Sequence, residues 1–202
     1  ANYPKKSNTR CIAFNYPMAI DSSLFYRSID ELAYILLAAY QKTNVLPKKI
    51  KRITAYSMGG LIAFEIIKLL ESMGVEIEEF FIWDKPSQCY PPRGEIYVDI
   101  TKRSEIMSVI DEIVDTDIKI KKMISYLNKH EYIIEKYYQR GMINCDIRMY
   151  YCSNGFNKED LYNWQKLTSR PVTFIELKNV THYEIPEFWK RLTYSKLNDF
   201  KS

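Results

Sequence analysis

The turn Ala55-Tyr56-Ser57-Met58-Gly59-Gly60 constrains the fold of this chain more than any other stretch. Residues 50–56 before it read as a strand. After it, Leu61, Ile62, Phe64, Glu65, Ile66, Leu69 and Leu70 make a helix that ends near Gly74. A serine between a strand and a helix sits on a sharp turn that needs small neighbours, and Ala55 and Gly59 stand two residues to either side. The Gly-x-Ser-x-Gly form of this turn has glycine where Ala55 stands, so the turn has to be weighed with the rest of the chain.

The remaining segments continue one pattern. Residues 10–16 form a short, mostly apolar run closed by Pro17, as expected of a buried strand. Ser28 stands three residues before Glu31, and Leu32, Ile35, Leu36 and Ala39 recur at helical spacing, which predicts a capped amphipathic helix to about Gln41. Residues 79–83, 146–152 and 172–177 read as further strands, with a helix over about 158–167 between the last two. Strands alternating with helices imply an α/β fold with a parallel sheet. Between 91 and 144 the chain turns to charged, Ile- and Tyr-rich helical stretches such as 104–114 and 118–138, an insertion on the sheet.

Composition narrows the classes. At 202 residues and 47% apolar, the chain can bury one sizeable core, so a single domain over 1–202 is expected. The net charge is only +4, and the signs alternate, as in Lys48-Lys49-Ile50-Lys51-Arg52 and Glu76-Ile77-Glu78-Glu79, which describes solvated faces and argues against nucleic acid as a partner. Cys11, Cys89, Cys145 and Cys152 show neither Cys-x-x-Cys spacing nor nearby histidines; they read as reduced structural thiols, with no metal site expected. No apolar run approaches the roughly 20 residues of a membrane span, and the polar start lacks a signal peptide's apolar stretch, so a soluble cytoplasmic protein without membrane association is expected.

Ser57 needs a base within hydrogen-bond reach, and that base needs a carboxylate to hold its tautomer. The chain has two histidines. His130 lies in a charged helix of the insertion and reads as a solvated imidazole, whereas His182 follows the last strand, at the edge of a parallel sheet where the Ser57 turn also lies. Two places compete for the acid. Asp84 leaves the strand after the nucleophile helix; the loop after Cys152 is its rival, but Ser153-Asn154-Gly155-Phe156-Asn157 offers amides, with Asp160 already in the next helix, so Asp84 is the better candidate. The Met58 amide, at the start of the helix, is placed to donate to a tetrahedral oxyanion.

On these residues the chain resembles thioesterase domains that release products from nonribosomal peptide and polyketide synthases, members of the α/β-hydrolase superfamily. Ser28-Ile29-Asp30-Glu31-Leu32-Ala33 looks like the family's helix before the nucleophile strand. The run from Tyr56 through Glu65 looks like its elbow and following helix. The resemblance implies a mostly parallel sheet flanked by helices, with a helical lid over about 91–144. It puts the acid on Asp84 and the base on His182 of Thr181-His182-Tyr183. Stand-alone editing thioesterases tend to carry the acid after the later strand, so the amides around Asn157 favour the release branch. An acyl or peptidyl carrier is the implied partner. The phosphopantetheine belongs to that carrier, and the chain itself takes no metal or redox cofactor.

The family opens with a strand and a Pro- and Gly-rich loop that gives the second oxyanion donor, and no such loop precedes Arg10. The chain is therefore expected to begin late in the family's order. Losing one donor costs about 100- to 1000-fold in turnover, so a complete triad need not make a fast enzyme. Rival expectations are a carboxylesterase or lipase acting on oxygen esters, and a weakly active carrier-docking module.

Overall fold

A computed structural model describes residues 26–92, 94–104, 107–108, 117–153 and 156–188. The strand expected over 10–16 lies outside them, as does most of the helix expected over 104–114. Helix α1 (Ile29–Gln41) starts at its predicted cap, with the Glu31 N–H donating to Ser28 Oγ at 3.1 Å. The Glu31 carboxylate accepts from the N–H of Arg27 at 2.6 Å, one residue ahead of the cap. The buried stripe is Ile29, Leu32, Ala33 and Leu37, while Ala39 faces solvent.

Strands β1 (Lys49–Tyr56), β2 (Glu76–Trp83), β3 (Asp146–Cys152) and β4 (Val172–Leu177) pair in parallel in the order β1-β2-β3-β4. β2 begins three residues earlier than the apolar run predicts. Glu76 and Glu78 reach Lys49 at 2.9 and 2.7 Å while Ile77 is buried between them, so the strand opens on an alternating pattern that a search for continuous apolar residues passes over. Helix α2 (Gly59–Ser72) joins β1 to β2 and ends at Gly74, whose φ of 79° supplies the left-handed residue a helix terminus favours.

One face of the sheet packs beneath α2 with Ala55 of β1 and Ile82 of β2, and Phe80, Ile147 and Met149 continue that face into the same buried cluster. The helix expected over 158–167 is split into α4 (Lys158–Tyr162) and a 3-10 turn (Asn163–Lys166). Packing sets that break: Trp164 is fully buried edge-on to Phe64 and Phe80, both at 6.0 Å, and its indole N–H donates to the Lys85 carbonyl at 3.0 Å. The opposite face is charged near the strand starts, where Arg52 and Arg148 both pair with Glu79 at 2.7 and 3.0 Å. It becomes aromatic near the strand ends, where Trp83 and Tyr150 stack at 4.1 Å.

The insertion between β2 and β3 contains helix α3 (Asp117–Lys136). Its base is tied to the core. The Gln88 N–H donates to Gln139 Oε1 and the Gln139 N–H to the Gln88 carbonyl, each at 2.7 Å, and the Tyr137 hydroxyl donates to Glu65 of α2 at 2.6 Å. Among the described residues no helix is long and apolar enough to cross a membrane.

Candidate active site

Parallel pairing brings every strand's carboxyl end to one edge, and two residues there share an unusual backbone. The Ser57 N–H donates to the Trp83 carbonyl at 2.8 Å and the Asp84 N–H to the Tyr150 carbonyl at 2.7 Å, so each extends its ladder by one bond beyond β1 and β2. Both then turn with φ of 52°. For residues with a Cβ such a conformation costs on the order of 1–3 kcal/mol, and it turns each side chain out of the sheet's alternation at the edge. The glycines after Ser57 let α2 start at once. A Cβ on Gly60 would stand 3.3 Å from Ile82 Cγ2, and one on Gly59 would stand 3.8 Å from the Cβ of Ala55.

Asp84 is 1% exposed, and both its oxygens are used: Oδ1 accepts from the Cys152 N–H at 2.8 Å and Oδ2 from His182 Nδ1 at 2.7 Å. A buried carboxylate needs such partners, because an uncompensated charge in the interior costs several kcal/mol. Burial and the neighbouring Asp84 push the Cys152 thiol up to about 12, so the sulfur stays neutral beside the carboxylate. His182 opens a 3-10 turn (His182–Glu184) beyond β4, after Asn179 reverses the chain with φ of 57°. The turn is held by Thr181, whose N–H and hydroxyl donate to Glu184 at 2.9 and 2.8 Å. With Nδ1 engaged by Asp84, Nε2 is the nitrogen left for a proton transfer.

Ser57, Asp84 and His182 thus lie at one edge of the sheet, where Asp84 and His182 are in contact. Among the described residues no hydrogen bond joins Ser57 Oγ to the imidazole; in substrate-free sites this contact commonly tightens only when substrate binds. The Met58 N–H, at the cap of the 14-residue helix α2, has no acceptor among the described residues and lies at the helix's positive end.

The rival acid positions point elsewhere. Asn157 caps α4 by accepting from the Glu159 N–H at 3.1 Å, Asp160 is exposed within α4, and Asn154 lies outside the described residues. His130 departs from the solvated imidazole expected of it. It is half-buried, 6.1 Å from the ring of Tyr26 and 6.2 Å from that of Tyr126, and burial pushes its pKa down to about 4. Its helix is charged overall, but the ring belongs to the face turned toward α1's approach. A residue that sequence reasoning missed is Tyr56. Its ring stacks on the His182 imidazole at 4.9 Å and its hydroxyl donates to the His182 carbonyl at 2.7 Å. The only signal for it was an aromatic residue directly before the serine.

Helix α3 is tied to the segment that follows Asp84: its Ile134 carbonyl accepts from Gln88 Nε2 at 3.2 Å. Burial lowers the pKa of Lys85, the residue after Asp84, and Glu135 and Glu131 of α3 act against that shift. A cavity of 650 Å³ lies at the opposite end of the sheet, among Lys49, Arg52, Glu76, Glu79 and Arg170. Its charges pair with one another, as in Lys49–Glu76 and Arg52–Glu79, which makes it a solvated recess and no acyl site.

No protein-family profile matches the chain. A stretch of 54 residues is 44% identical to part of the atromentin synthetase of Tapinella panuoides, a match covering 27% of this chain and 5% of that protein. The fold is similar to that of ClbQ from the colibactin NRPS/PKS pathway, with a TM-score of 0.66 and 14% identity over 87% of this chain and 78% of the other. It is also similar to BorB, the type II thioesterase from the borrelidin biosynthetic cluster, with a TM-score of 0.61 and 20% identity over 85% and 73%. The SrfTE thioesterase domain, which cyclises the lipopeptide surfactin, gives 0.59 and 16% over 86% and 75%. The chain therefore has the parallel-sheet fold of these thioesterases, flanked by helices.

Proposed function

We propose that this chain is a serine thioesterase acting on acyl or peptidyl groups carried on the phosphopantetheine arm of a carrier protein or domain. The observation that carries the reading is the pairing of buried Asp84 with His182, at 2.7 Å, on the same strand edge as a serine with positive φ. The kinship of fold with BorB and SrfTE supports the choice of thioesters over other acyl donors.

In the first half-reaction His182 Nε2 takes the proton of Ser57 Oγ as the oxygen bonds to the thioester carbonyl carbon. The Met58 N–H donates to the oxyanion, and Asp84 holds the imidazolium. The C–S bond then breaks, and the leaving sulfur takes the proton from His182, which frees the carrier's thiol. In the second half-reaction His182 removes a proton from water, or from a hydroxyl or amine of the acyl chain itself. The acyl group leaves Ser57 as an acid or as a ring, and the proton returns to the serine oxygen.

A fluorophosphonate serine probe tests the reading. The wild-type protein is expected to be labelled once, at Ser57, and Ser57→Ala to be unlabelled. Persistent labelling of Ser57→Ala removes Ser57 from its role. Comparing acyl-pantetheine thioesters with oxygen esters of the same chain distinguishes a thioesterase from a carboxylesterase.

A further inference from the structure

We propose that Tyr56 is the positioning residue that seats His182, through a ring stack on its imidazole and a hydrogen bond to its carbonyl. The inference rests on the reading of His182 as the base. In the order β1-β2-β3-β4, β4 is three strands away from β1, roughly 14 Å at the usual strand spacing. The turn after β4 must therefore return across the sheet edge before His182 can reach Asp84, on the end of β2, and approach Ser57, on the end of β1. Val180 and Ile185 anchor the base of that turn in the cluster with Leu177, but Lys178, Asn179, Thr181, Tyr183 and Glu184 are exposed, so the seating of the His182 ring depends on what meets it at the edge.

Two contacts reach it from the catalytic edge, and they fix different things. Asp84 grips Nδ1 at 2.7 Å, which sets the rotation of the ring in its plane. Tyr56 lies against the face of the ring, at 4.9 Å between centroids and 29° between planes, which sets its tilt. The Tyr56 hydroxyl pins the backbone of the same residue, 2.7 Å from the His182 carbonyl. Burial, with a smaller contribution from Asp84, pushes that hydroxyl up to about 12, so it stays a donor throughout the neutral range. The shelf beneath is closely packed. Tyr56 is in register with Trp83, which stacks on Tyr150 at 4.1 Å and 7°, and all three pack against the buried cluster of Cys152, Leu177 and Ile185. Because Tyr56 is the residue before Ser57, the strand end that aims the nucleophile also seats its base.

Two substitutions separate the contacts: Tyr56→Phe keeps the ring and loses the hydroxyl, and Tyr56→Leu loses both. Turnover of a short acyl-pantetheine thioester is expected to fall about 3-fold in Y56F and about 30- to 100-fold in Y56L, in kcat with KM unchanged, as misplacement by an ångström does. The chain has two histidines, so the ¹H–¹³C ring signal of His182 is identified by its loss in His182→Asn. The stack shifts that signal upfield; Y56F is expected to keep the shift and Y56L to lose it, with the His130 signal unmoved as a mark of an intact fold. If Y56L does not fold, Tyr56→Met, which keeps bulk without a flat face, takes its place. A folded non-aromatic variant with wild-type kcat, or with the upfield shift retained, overturns the inference. Failure of the wild type to label at Ser57 instead overturns the reading of function, while the ring signal still reports whether Tyr56 holds His182.

Discussion

Replacing Asp84 with asparagine tests the site where its geometry is tightest. The carboxylate is 1% exposed and splits its oxygens between the Cys152 N–H and His182 Nδ1. Asparagine keeps the shape and can still accept from Cys152, but it turns an NH₂ toward Nδ1. Nδ1 must then accept, the ring proton moves to Nε2, and Nε2 is no longer a base. The charge lost can be sized from the structure. A unit pair 2.7 Å apart interacts by about 6 kcal/mol at an effective dielectric of 20. The imidazole side chain is 31% exposed, and that screening leaves roughly 4–5 kcal/mol, or about 10³- to 10⁴-fold at 1.36 kcal/mol per decade. The assay is thioester turnover together with the rate of fluorophosphonate labelling, read beside Asn157→Ala and with a thermal melt to show that the fold is kept. A loss below tenfold in D84N, or an equal loss in N157A, refutes the assignment of the acid.

Other outcomes follow from backbone and burial. Ser57→Gly removes the strain of a side chain at φ 52° while adding glycine's own entropy cost, so it is expected to stabilise by about 1 kcal/mol and raise Tm by about 2–4 °C by calorimetry, even as activity is lost. An unchanged or lower Tm means the turn holds no strain. His130, depressed from 6.5 to about 4 by burial, binds its proton less tightly in the native protein than in the unfolded chain, so stability is complete above about pH 6.5 and falls as the pH drops toward 4. In urea melts over that range His130→Gln should lose less stability than the wild type; parallel losses assign the acid sensitivity to other groups.

The parts of the fold that were legible are those in which one segment carries its own signal. β3 and β4 fall on the residues their apolar runs predict, and Ser28 caps α1 as its spacing predicts. Where a partner decides the outcome, the chain alone misleads. The opening of β2 is written in glutamates whose place in a strand depends on Lys49 next door. The split after Tyr162 depends on the slot that Trp164 fills between Phe64 and Phe80. His130 looks solvated from its helix's charges, but Tyr26, at the approach to α1, and Tyr126 flank its ring.

The site divides along the same line, and the topology says why. In a parallel sheet of sequential order, residues that follow strands share one edge, so a serine after β1, an aspartate after β2 and a histidine after β4 can be assigned to one neighbourhood without any coordinates. Edge position is a property of each segment. The contacts that turn a neighbourhood into a geometry are not: Asp84 meets His182 across 98 residues, Cys152 meets Asp84 across 68, and Tyr56 meets His182 across 126. The Cys152 contact went unread, and so did the longest of the three. Two features force it: the return of the chain from the far strand, and the exposed turn that must land somewhere. Where nucleophile and base follow the first and last strands of such an order, the residue beside the nucleophile is a surface on which the returning turn can settle once it has crossed the strand ends between them. An aromatic residue there is therefore worth testing as part of the site even when the motif leaves its identity free.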